Sequence, residues 1–371
     1  MAIEAGAPPG EKRAAHPYHM YDAIRQQPDR VAQVLSGQRA LVERAAGAAA
    51  MRDRLLFVGI GTSYHAAQIG EQFLRNLTSG RATAHVEQSF ELVHYPLALG
   101  ADDAAVAISH RGWKNYSVQA VRAAKAAGAL TIAITGRDGG EGIRAADFVI
   151  PTCEQEVSFA HTKSYTTALA ALALLALHIA ERRSLSDGSA SARAALEATP
   201  EAMREALGCE NAAREAAKAV AARQRLIFVG AGPNWATARE GALKVKETSY
   251  IASEGFETEQ FLHGPLAEMD SRAALVALLT GGPGDARLES VLRAAGELDV
   301  LRVAIAARGA ADVPAEHRLE VPAAPEWLSP FVQVVPAQLL SYFVALERGT
   351  NPDTGREDQP AHARARQHYK L

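Results

Sequence analysis

An ammonium, a carboxylate and an imidazole lie close together in the segment from Lys244 to Pro265, KVKETSYIASEGFETEQFLHGP. Residues 236–250 predict a helix, because they contain few breakers and place Ala, Leu and Val along one face. Lys244 and Glu247 are three residues apart, so a helix projects both side chains from one face. His263 follows in a Leu-His-Gly-Pro turn, where Gly and Pro fix the backbone around the imidazole. The segment therefore predicts that these three groups can converge.

Such a trio suits proton transfer in a carbonyl compound. A carboxylate removes the proton beside the carbonyl, a cation stabilises the developing oxyanion, and an imidazole titrates near neutral pH. A simpler interpretation is also open, in which Glu240 and Lys244 form a surface ion pair at i, i+4 and the glutamates are solvated.

The composition argues against several other classes of function. The chain has 371 residues and a net charge of -3, so it lacks the basic footprint of a nucleic-acid-binding protein. Its two cysteines, Cys153 and Cys209, show neither metal-ligand spacing nor a disulfide framework, which favours a cytoplasmic location. The most apolar run, residues 168–180, is shorter than the roughly 20 residues of a membrane span and predicts a buried helix. We expect neither a membrane nor a nucleic acid as a partner.

The elements that must position the chemical groups recur along the chain. LLFVGIG at residues 55–61 predicts a buried parallel strand that feeds a loop and a helix, and LIFVGAG at residues 226–232 repeats it 171 positions later (226 - 55). The same offset relates three further pairs of landmarks: Ser109 with Thr280, Leu130 with Leu301, and Pro151 with Pro322. Four landmarks in constant register predict two copies of one α/β domain, each a doubly wound parallel sheet flanked by helices.

We expect four regions along the chain. They are a flexible lead-in over residues 1–19, N-terminal helices and the first domain over 20–200, the second domain over 201–345, and a tail over 346–371. The N-terminal helices are predicted over residues 20–37, with an interruption at Pro28, and over residues 39–52.

Ligands of doubly wound sheets bind beyond the carboxyl ends of the strands. In this chain those ends carry glycine and hydroxyl residues, at 61–63, 109–112, 230–232 and 280–282. Exposed amides and hydroxyls at helix starts suit a phosphate. The pattern is neither GxGxxG nor a P-loop, so a phosphate without a nucleotide is the better prediction.

Several segments together resemble the sugar isomerase (SIS) domain family, namely FVGIGTSYHAAQIG, ISHRG, AHTKSYTTAL, EGALKVKETSY, FLHGPLAEMD and GTNPD. Within that family they are similar to the isomerase half of glucosamine-6-phosphate synthases, over nearly the whole chain from about Met20. The resemblance implies two tandem SIS domains, a homodimer, a sugar phosphate as ligand, and no metal or organic cofactor.

The resemblance also assigns roles to individual residues. Glu247 matches the carboxylate that moves a proton between C1 and C2 of the sugar, and Lys244 matches a lysine that assists this step. His263 matches the imidazole that helps to open the sugar ring from the partner subunit of a homodimer. Contacts to the phosphate or the sugar are matched by Thr62, Ser63 and Ser109.

Two stretches depart from the family pattern. The phosphate loop usually reads Ser-Gln-Ser-Gly-Glu-Thr, and here residues 109–114 read Ser-His-Arg-Gly-Trp-Lys. Arg111 and Lys114 either grip a phosphate more strongly, accept a second anionic group such as a carboxylate, or point into water. His161 replaces a small hydroxyl residue at the start of a long helix, where it either contacts the sugar or caps the helix. The candidate binding residues therefore also include His110, Arg111, Lys114 and His161.

We expect two parts of the family enzyme to have no counterpart in this chain. We expect no glutaminase domain, so that glutamine is not the nitrogen source. The tail lysine that forms a Schiff base in the family should fall near Pro360, whereas the only lysine of the tail is Lys370.

The leading hypothesis is an isomerising deaminase or aminotransferase-type enzyme that acts on amino-sugar 6-phosphates through an enediol or enolamine. A simple aldose-ketose isomerase of phosphosugars and a fructosamine-6-phosphate deglycase are the alternatives among enzymes. A non-catalytic phosphosugar sensor is the alternative from another class.

Overall fold

Two parallel sheets of five strands each carry the fold in the computed structural model, which describes residues 13–185 and 188–369. The elements of the first half are α1 His19–Gly37, α2 Arg39–Ala49, β1 Arg54–Gly59, α3 Thr62–Leu77, β2 Thr83–Gln88, α4 Ser89–His94, β3 Asp103–Ser109, α5 Asn115–Ala126, β4 Leu130–Thr135, β5 Phe148–Pro151 and α6 Lys163–Arg182. Those of the second half are α7 Ser189–Ala206, α8 Glu210–Ala221, β6 Arg225–Gly230, α9 Asn234–Thr248, β7 Ala252–Glu257, α10 Thr258–Leu262, β8 Ala273–Leu279, α11 Asp285–Glu297, β9 Leu301–Ala307, β10 His317–Val321, α12 Ser329–Glu347 and α13 Pro360–Arg366.

The two sheets share one strand order. The first is β2-β1-β3-β4-β5, and the second, read from its β7 edge, is β7-β6-β8-β9-β10. All neighbouring strands are parallel, and the central strands β3 and β8 are buried along their whole length. Helices cover both faces, as buried parallel strands require. The predicted tandem of doubly wound α/β domains is confirmed.

The constant offset of 171 between the repeats is wrong at two landmarks. Arg54 and Arg225 keep it (225 - 54), but they pair with Asp103 and Ala273, which are 170 apart (273 - 103). Ser109 is therefore matched by Leu279 rather than by Thr280. Similarly, Pro151 is matched by Glu320 rather than by Pro322, as the strand pairs Thr135 with Pro151 and Ala306 with Glu320 show. The two repeats differ slightly in length between equivalent strands. The sequence conceals this difference, because similar residues stand next to the true partners.

Helix α1 continues through Pro28, so the predicted interruption at this residue is also wrong. Proline has no N–H, so the carbonyl of Ile24 loses its helical partner. The side-chain amide of the buried Gln27 donates to that carbonyl at 3.0 Å and to the side-chain oxygen of Gln338 at 2.8 Å. This substitute donor lets the helix run on.

Two helices, residues 163–182 and 326–347, are long and apolar enough to cross a membrane, and 94% and 100% of their apolar windows are buried inside the protein. The predicted buried helix over residues 168–180 is thus confirmed as part of α6. The ring of Phe73 from α3 stacks on that of Phe331 from α12 at 6.0 Å, so the two repeats share one core.

The chain ends are described from Arg13 to Tyr369. The N–H of Tyr18 donates to the hydroxyl of Tyr342 at 3.1 Å, and the side chain of Asn351 donates to the carbonyl of Arg13 at 2.9 Å. The part of the lead-in from residue 13 is thus anchored on the last helices, whereas it was expected to be flexible. The predicted region boundaries stay predictions, and Lys370 lies outside the described residues.

Candidate active site

Helix α9 turns three charged side chains toward α3 of the first repeat. Glu240, Lys244 and Glu247 are spaced by four and three residues and share one helix face. The ammonium of Lys244 lies 2.6 Å from a carboxylate oxygen of Glu247, 3.3 Å from one of Glu240 and 3.1 Å from the hydroxyl of Thr62. Lys244 and Glu240 are 0% exposed, so the interpretation as a surface ion pair is wrong.

Glu240 was not among the predicted site residues, yet it connects the two repeats. Its carboxylate accepts from the hydroxyl of Thr62 at 3.1 Å and lies 2.8 Å from Nδ1 of His65. Thr62 and His65 both belong to the first turn and a half of α3. The signal that could have found Glu240 was its i, i+4 and i, i+7 spacing from Lys244 and Glu247 in the Ala- and Gly-rich sequence EGALKVKE.

The cluster keeps Lys244 charged and makes Glu247 more basic. Burial acts to lower the pKa of Lys244, but the carboxylates of Glu240 and Glu247 outweigh it and raise that pKa above its ordinary value. Burial raises the pKa of Glu247, and the nearby Glu240 adds to this, while Lys244 opposes it. A carboxylate with a raised pKa beside a fixed cation is suited to accept a proton and return it.

His263 lies apart from this cluster in the described chain. It follows α10, its side chain is 69% exposed, and its Nε2 is 3.2 Å from a carboxylate oxygen of Glu259. Glu259 in turn binds the guanidinium of Arg287 at 2.7 Å. One chain does not bring the predicted trio together, so a role for His263 requires a second subunit and stays a prediction.

A polar cavity lies at the carboxyl edge of the first sheet. Its lining consists of hydroxyl, imidazole and apolar side chains from Thr62, Ser63, Ala66, Ile108, His110, Ile134, Thr135, Thr152, His161, Ser164, Tyr165 and Ala168. The structure thus brings Thr62, Ser63, His110 and His161 together around this cavity, and their role in binding stays a prediction. Ser109 is buried beneath the loop, and its carbonyl accepts from the hydroxyl of Thr135 at 2.8 Å. The cavity volume is about 30 Å³, which is enough for at least one water-sized group of a ligand.

The two imidazoles in this cavity are neutral. Burial lowers the pKa of His110 to about 4 and that of His161 to about 3. The rings meet edge to face with centres 5.4 Å apart. Neither ring nitrogen of His110 has a hydrogen-bond partner within residues 13–185 and 188–369. A buried polar group without a partner is a point at which a ligand can donate or accept.

The start of α6 is capped by Glu156. Its carboxylate accepts from the backbone N–H groups of Thr162, at 3.0 Å, and of Ser164, at 2.8 Å. His161 is therefore not the cap of this helix, and it lines the cavity instead. Burial acts to raise the pKa of Glu156, but the neighbouring His161 and His110 and the amides at the helix start lower it.

A metal ion fits this corner poorly. Ligand atoms of His110, Glu156 and His161 lie within 4.8 Å of one another, as a metal site needs. However, the Glu156 oxygens are already engaged by amides, and Nη2 of Arg111 is 3.4 Å from Nε2 of His161. A guanidinium at that distance repels a second cation.

Arg111 and Lys114 are both half-buried. The guanidinium of Arg111 lies over the ring of Trp113 at 5.8 Å. Burial, Arg111 and Arg366 together lower the pKa of Lys114 to about 8. A role of either side chain in ligand binding stays a prediction.

The second repeat fills its own anion site. The backbone N–H groups of Thr280 and Gly281 donate to the carboxylate of Asp285 at 3.1 and 2.8 Å. The N–H of Gly282 donates to the hydroxyl of Thr280 at 3.1 Å. In the second repeat a carboxylate of the chain thus holds the amides that a phosphate would take.

A larger cavity of about 230 Å³ lies between α3 and α9, where it is lined by Tyr64, Gln68, Glu71, Gln72, Val86, Gly232, Trp235 and Ala236. The cluster of Glu240, Lys244 and Glu247 does not line it, and the carboxylate among its lining residues is Glu71, whose pKa is raised by burial. The two cysteines, Cys153 and Cys209, are free and buried, and burial raises both pKa values to about 12. Neither thiol is therefore a nucleophile.

Comparison with known proteins gives a consistent result. The model of the SIS domain matches residues 50–178 and 220–348. Over 350 residues the chain is 31% identical to the glutamine--fructose-6-phosphate aminotransferase [isomerizing] of Thermococcus kodakarensis, covering 93% of this chain and 58% of that protein. It is 30% identical over 304 residues to glutamine--fructose-6-phosphate aminotransferase [isomerizing] 2 of Homo sapiens, covering 81% and 44%. The chain thus spans about half the length of the curated relatives it matches.

Solved structures share the fold. The C-terminal domain of glucosamine-fructose-6-phosphate aminotransferase from Francisella tularensis superposes with a TM-score of 0.83 at 24% identity, covering 92% of this chain and 99% of that one. Glucosamine-6-phosphate deaminase from Thermotoga maritima superposes with a TM-score of 0.72 at 20% identity, covering 91% and 97%.

Proposed function

This chain belongs to the SIS domain family, and from that premise we propose that it is an enzyme that moves a proton between C1 and C2 of a phosphorylated sugar. The observation that carries the proposal is the buried cluster of Glu240, Lys244 and Glu247 on α9. It faces Thr62, which also lines the cavity of the first repeat. The base and the binding cavity are thereby joined through one hydroxyl.

Glu247 acts as the base. It takes the proton from the carbon beside the carbonyl, or beside the corresponding imine, and the electron pair moves onto the oxygen or nitrogen as an enediol or enolamine forms. The resulting carboxylic acid returns the proton to the neighbouring carbon. Lys244 holds a positive charge next to the reacting atoms, which stabilises the oxyanion. Its raised pKa keeps that charge in place through the reaction.

The leading substrate class is an amino-sugar 6-phosphate. Isomerisation of a 2-amino aldose gives an imine at C2, and hydrolysis of that imine releases ammonia and leaves the ketose. Relatives at about 30% identity carry names that combine isomerisation with amino transfer to fructose 6-phosphate, which favours nitrogen chemistry at C2. Thr62, Ser63, Ser109, His110, Arg111, Lys114 and His161 are the proposed groups that surround the phosphate end of the sugar.

The proposal includes a cytoplasmic homodimer in which His263 of one subunit assists ring opening in the site of the other. The exposure of His263 and its location after α10 support this arrangement, because the imidazole is free to enter a neighbouring molecule. The hydrogen bond with Glu259 would orient the ring.

The test is incubation with hexose, hexosamine and fructosamine 6-phosphates in heavy water, while ammonia release and deuterium uptake at C1 or C2 are followed by NMR. Glu247→Gln should abolish deuterium uptake and leave binding of the sugar phosphate nearly unchanged, since the amide keeps the shape but not the basicity. Glu215→Gln, at a 63% exposed side chain on α8, is the matched control and should keep full activity.

The outcomes separate the alternatives. Ammonia together with deuterium uptake supports the deaminase, and its appearance only from fructosamine phosphates indicates the deglycase. Deuterium uptake without ammonia identifies a simple isomerase. Binding without either signal would refute the proposed chemistry and favour a sensor, whereas an active Glu247→Gln variant would refute the role of Glu247 as the base.

A further inference from the structure

The C-terminal segment folds back onto the loop that precedes α6 in the first repeat. The N–H of Phe159 donates to the carbonyl of Asp353 at 3.1 Å, which fastens the segment beside α6. Gly355 has a φ of +54°, and a Cβ atom there would lie 2.4 Å from the ring of Phe159. Only glycine allows the chain to pass so close over this ring. The segment is therefore fixed in place, and it sets the position of α13.

Helix α13 brings a third cation to this place. The guanidinium of Arg366 lies 4.5 Å from the centre of the Phe159 ring and donates to the carbonyl of Gly355 at 3.0 Å. It also pairs with the carboxylate of Glu357. The side chain is 24% exposed, although its helix is exposed at most positions. It thus points inward, toward the first repeat.

Arg366, Arg111 and Lys114 share one electrostatic field. Burial is the main cause that lowers the pKa of Arg111 and of Lys114, and the positive charge of Arg366 acts in the same direction on both. Nη2 of Arg111 lies 3.4 Å from Nε2 of His161, which lines the cavity and comes two residues after Phe159, the residue whose ring Arg366 covers. These three side chains, from two distant parts of the sequence, form a group that we call the cation cluster.

The negative charges near the cluster do not cancel it. Glu357 pairs with Arg366 and acts to raise the pKa of Arg111. Glu156 also acts on Arg111, but the amides of α6 engage its oxygens. The two charged groups that act on the pKa of Lys114 are both cations. The charged groups that influence Lys114 therefore include no carboxylate that would balance its positive charge.

The neighbouring cavity needs such a cluster. None of the residues that line it is a lysine or an arginine, and its two imidazoles are neutral. A phosphate dianion of a sugar that enters the cavity would project toward the charges beside it. Guanidinium and ammonium groups bind phosphate oxygens through charge-assisted hydrogen bonds.

We propose that Arg366 of the C-terminal helix is a substrate-binding residue that completes, with Arg111 and Lys114, the site for the phosphate group of the substrate. Glu357 holds the guanidinium in position in the free protein and gives it up, in part, when the phosphate arrives. This inference rests on the proposed function, because it assumes that the ligand is a sugar phosphate.

The experiment measures the dissociation constants of glucose 6-phosphate, inorganic phosphate and glucose by isothermal titration calorimetry. Arg366→Gln should weaken the binding of glucose 6-phosphate and of inorganic phosphate by about tenfold or more, since it removes a charge-assisted contact. Binding of the uncharged glucose should not change. Arg364→Gln, on an exposed residue of the same helix, is the control and should leave all three constants unchanged.

Glu357→Gln provides a test of opposite sign. Removing this carboxylate frees Arg366 and eliminates a repulsive charge, so phosphate binding should become tighter. If Arg366 and Glu357 only held the helix in place, both variants would weaken binding. Equal constants for the wild type and Arg366→Gln would overturn the inference, and so would an equal loss of glucose binding. If the wild type neither binds glucose 6-phosphate nor turns over any sugar phosphate in heavy water, the proposed function itself fails.

Discussion

Lys244→Met is the most direct test of the charged cluster on α9. The substitution keeps the length and much of the apolar volume of the side chain but removes its charge. Glu240 and Glu247 then lose the cation that lies 3.3 and 2.6 Å from their carboxylates. Glu240 keeps only the contacts of Thr62 and His65, and it is 0% exposed.

The expected loss of stability follows from this burial. Removing one partner of a buried ion pair costs about 3 to 5 kcal/mol, because the remaining charge stays out of water without compensation. Such a loss is a large part of the roughly 5 to 15 kcal/mol that keeps a protein folded. We expect the free energy of unfolding, measured with urea, to fall by this amount at pH 7. Lys246→Met, at an exposed position of the same helix, should change it by less than about 0.5 kcal/mol.

The pH dependence gives the cluster a distinctive signature. Lys244 opposes the rise in the pKa of Glu247 that burial causes, so this pKa must rise further in the variant. A carboxyl group whose pKa is higher in the folded than in the unfolded state binds protons more readily when folded. The deficit in stability should thus be full at neutral pH and shrink as the pH falls toward the ordinary range of a glutamate. A loss below about 1 kcal/mol, or one that is the same at pH 5 and pH 8, would refute the reasoning that Lys244 neutralises two buried carboxylates.

Two further predictions concern the proposed site. If His263 acts across a dimer interface, co-expression of inactive Glu247→Gln and His263→Ala chains should restore about a quarter of wild-type turnover. Half of the dimers are then mixed, and each mixed dimer has one intact site out of two. If the co-expressed chains stay inactive, both residues belong to the site of one subunit. Because the pKa of Lys114 is lowered to about 8, its charge is present below that pH and lost above it, so glucose 6-phosphate should bind more weakly at pH 9 than at pH 7. In Lys114→Arg this decline should disappear. If the variant keeps the pH profile of the wild type, Lys114 is not part of the phosphate site.

The repeated architecture could be predicted because it rests on local patterns. The runs LLFVGIG and LIFVGAG are continuous apolar segments that end in glycine. Both form inner strands with equivalent neighbours, since β1 lies between β2 and β3 and β6 lies between β7 and β8. The exact register of the outer landmarks could not be predicted, because Ser109 and Thr280 are both hydroxyl residues after apolar strands. One missing residue in the β8 segment is invisible until the strands pair.

The site was predictable only where helix periodicity or the family resemblance applied. Lys244 and Glu247 are three residues apart, and a helix alone brings their side chains together. The contacts of Glu240 with His65 and of Arg366 with Phe159 join residues that are far apart in sequence. Such contacts depend on how α3 and α13 pack, and no spacing in the sequence encodes that. The persistence of α1 through Pro28 likewise depends on the side chain of Gln27, which propensity rules do not consider.

The two repeats are not equivalent, because a carboxylate of the chain occupies the loop of the second repeat. Asp285 fills the amides that correspond to the phosphate loop, while α9 of that same repeat lends its charged face to the cavity of the first. On the proposed function, the second half of the chain supplies the catalytic groups and the first half supplies the binding cavity. The molecule should take up one sugar phosphate per chain in spite of its two domains, and neither domain expressed alone would hold a working site. If the two halves were once equivalent, neither could now function without the other, since each half lacks groups that the other half provides.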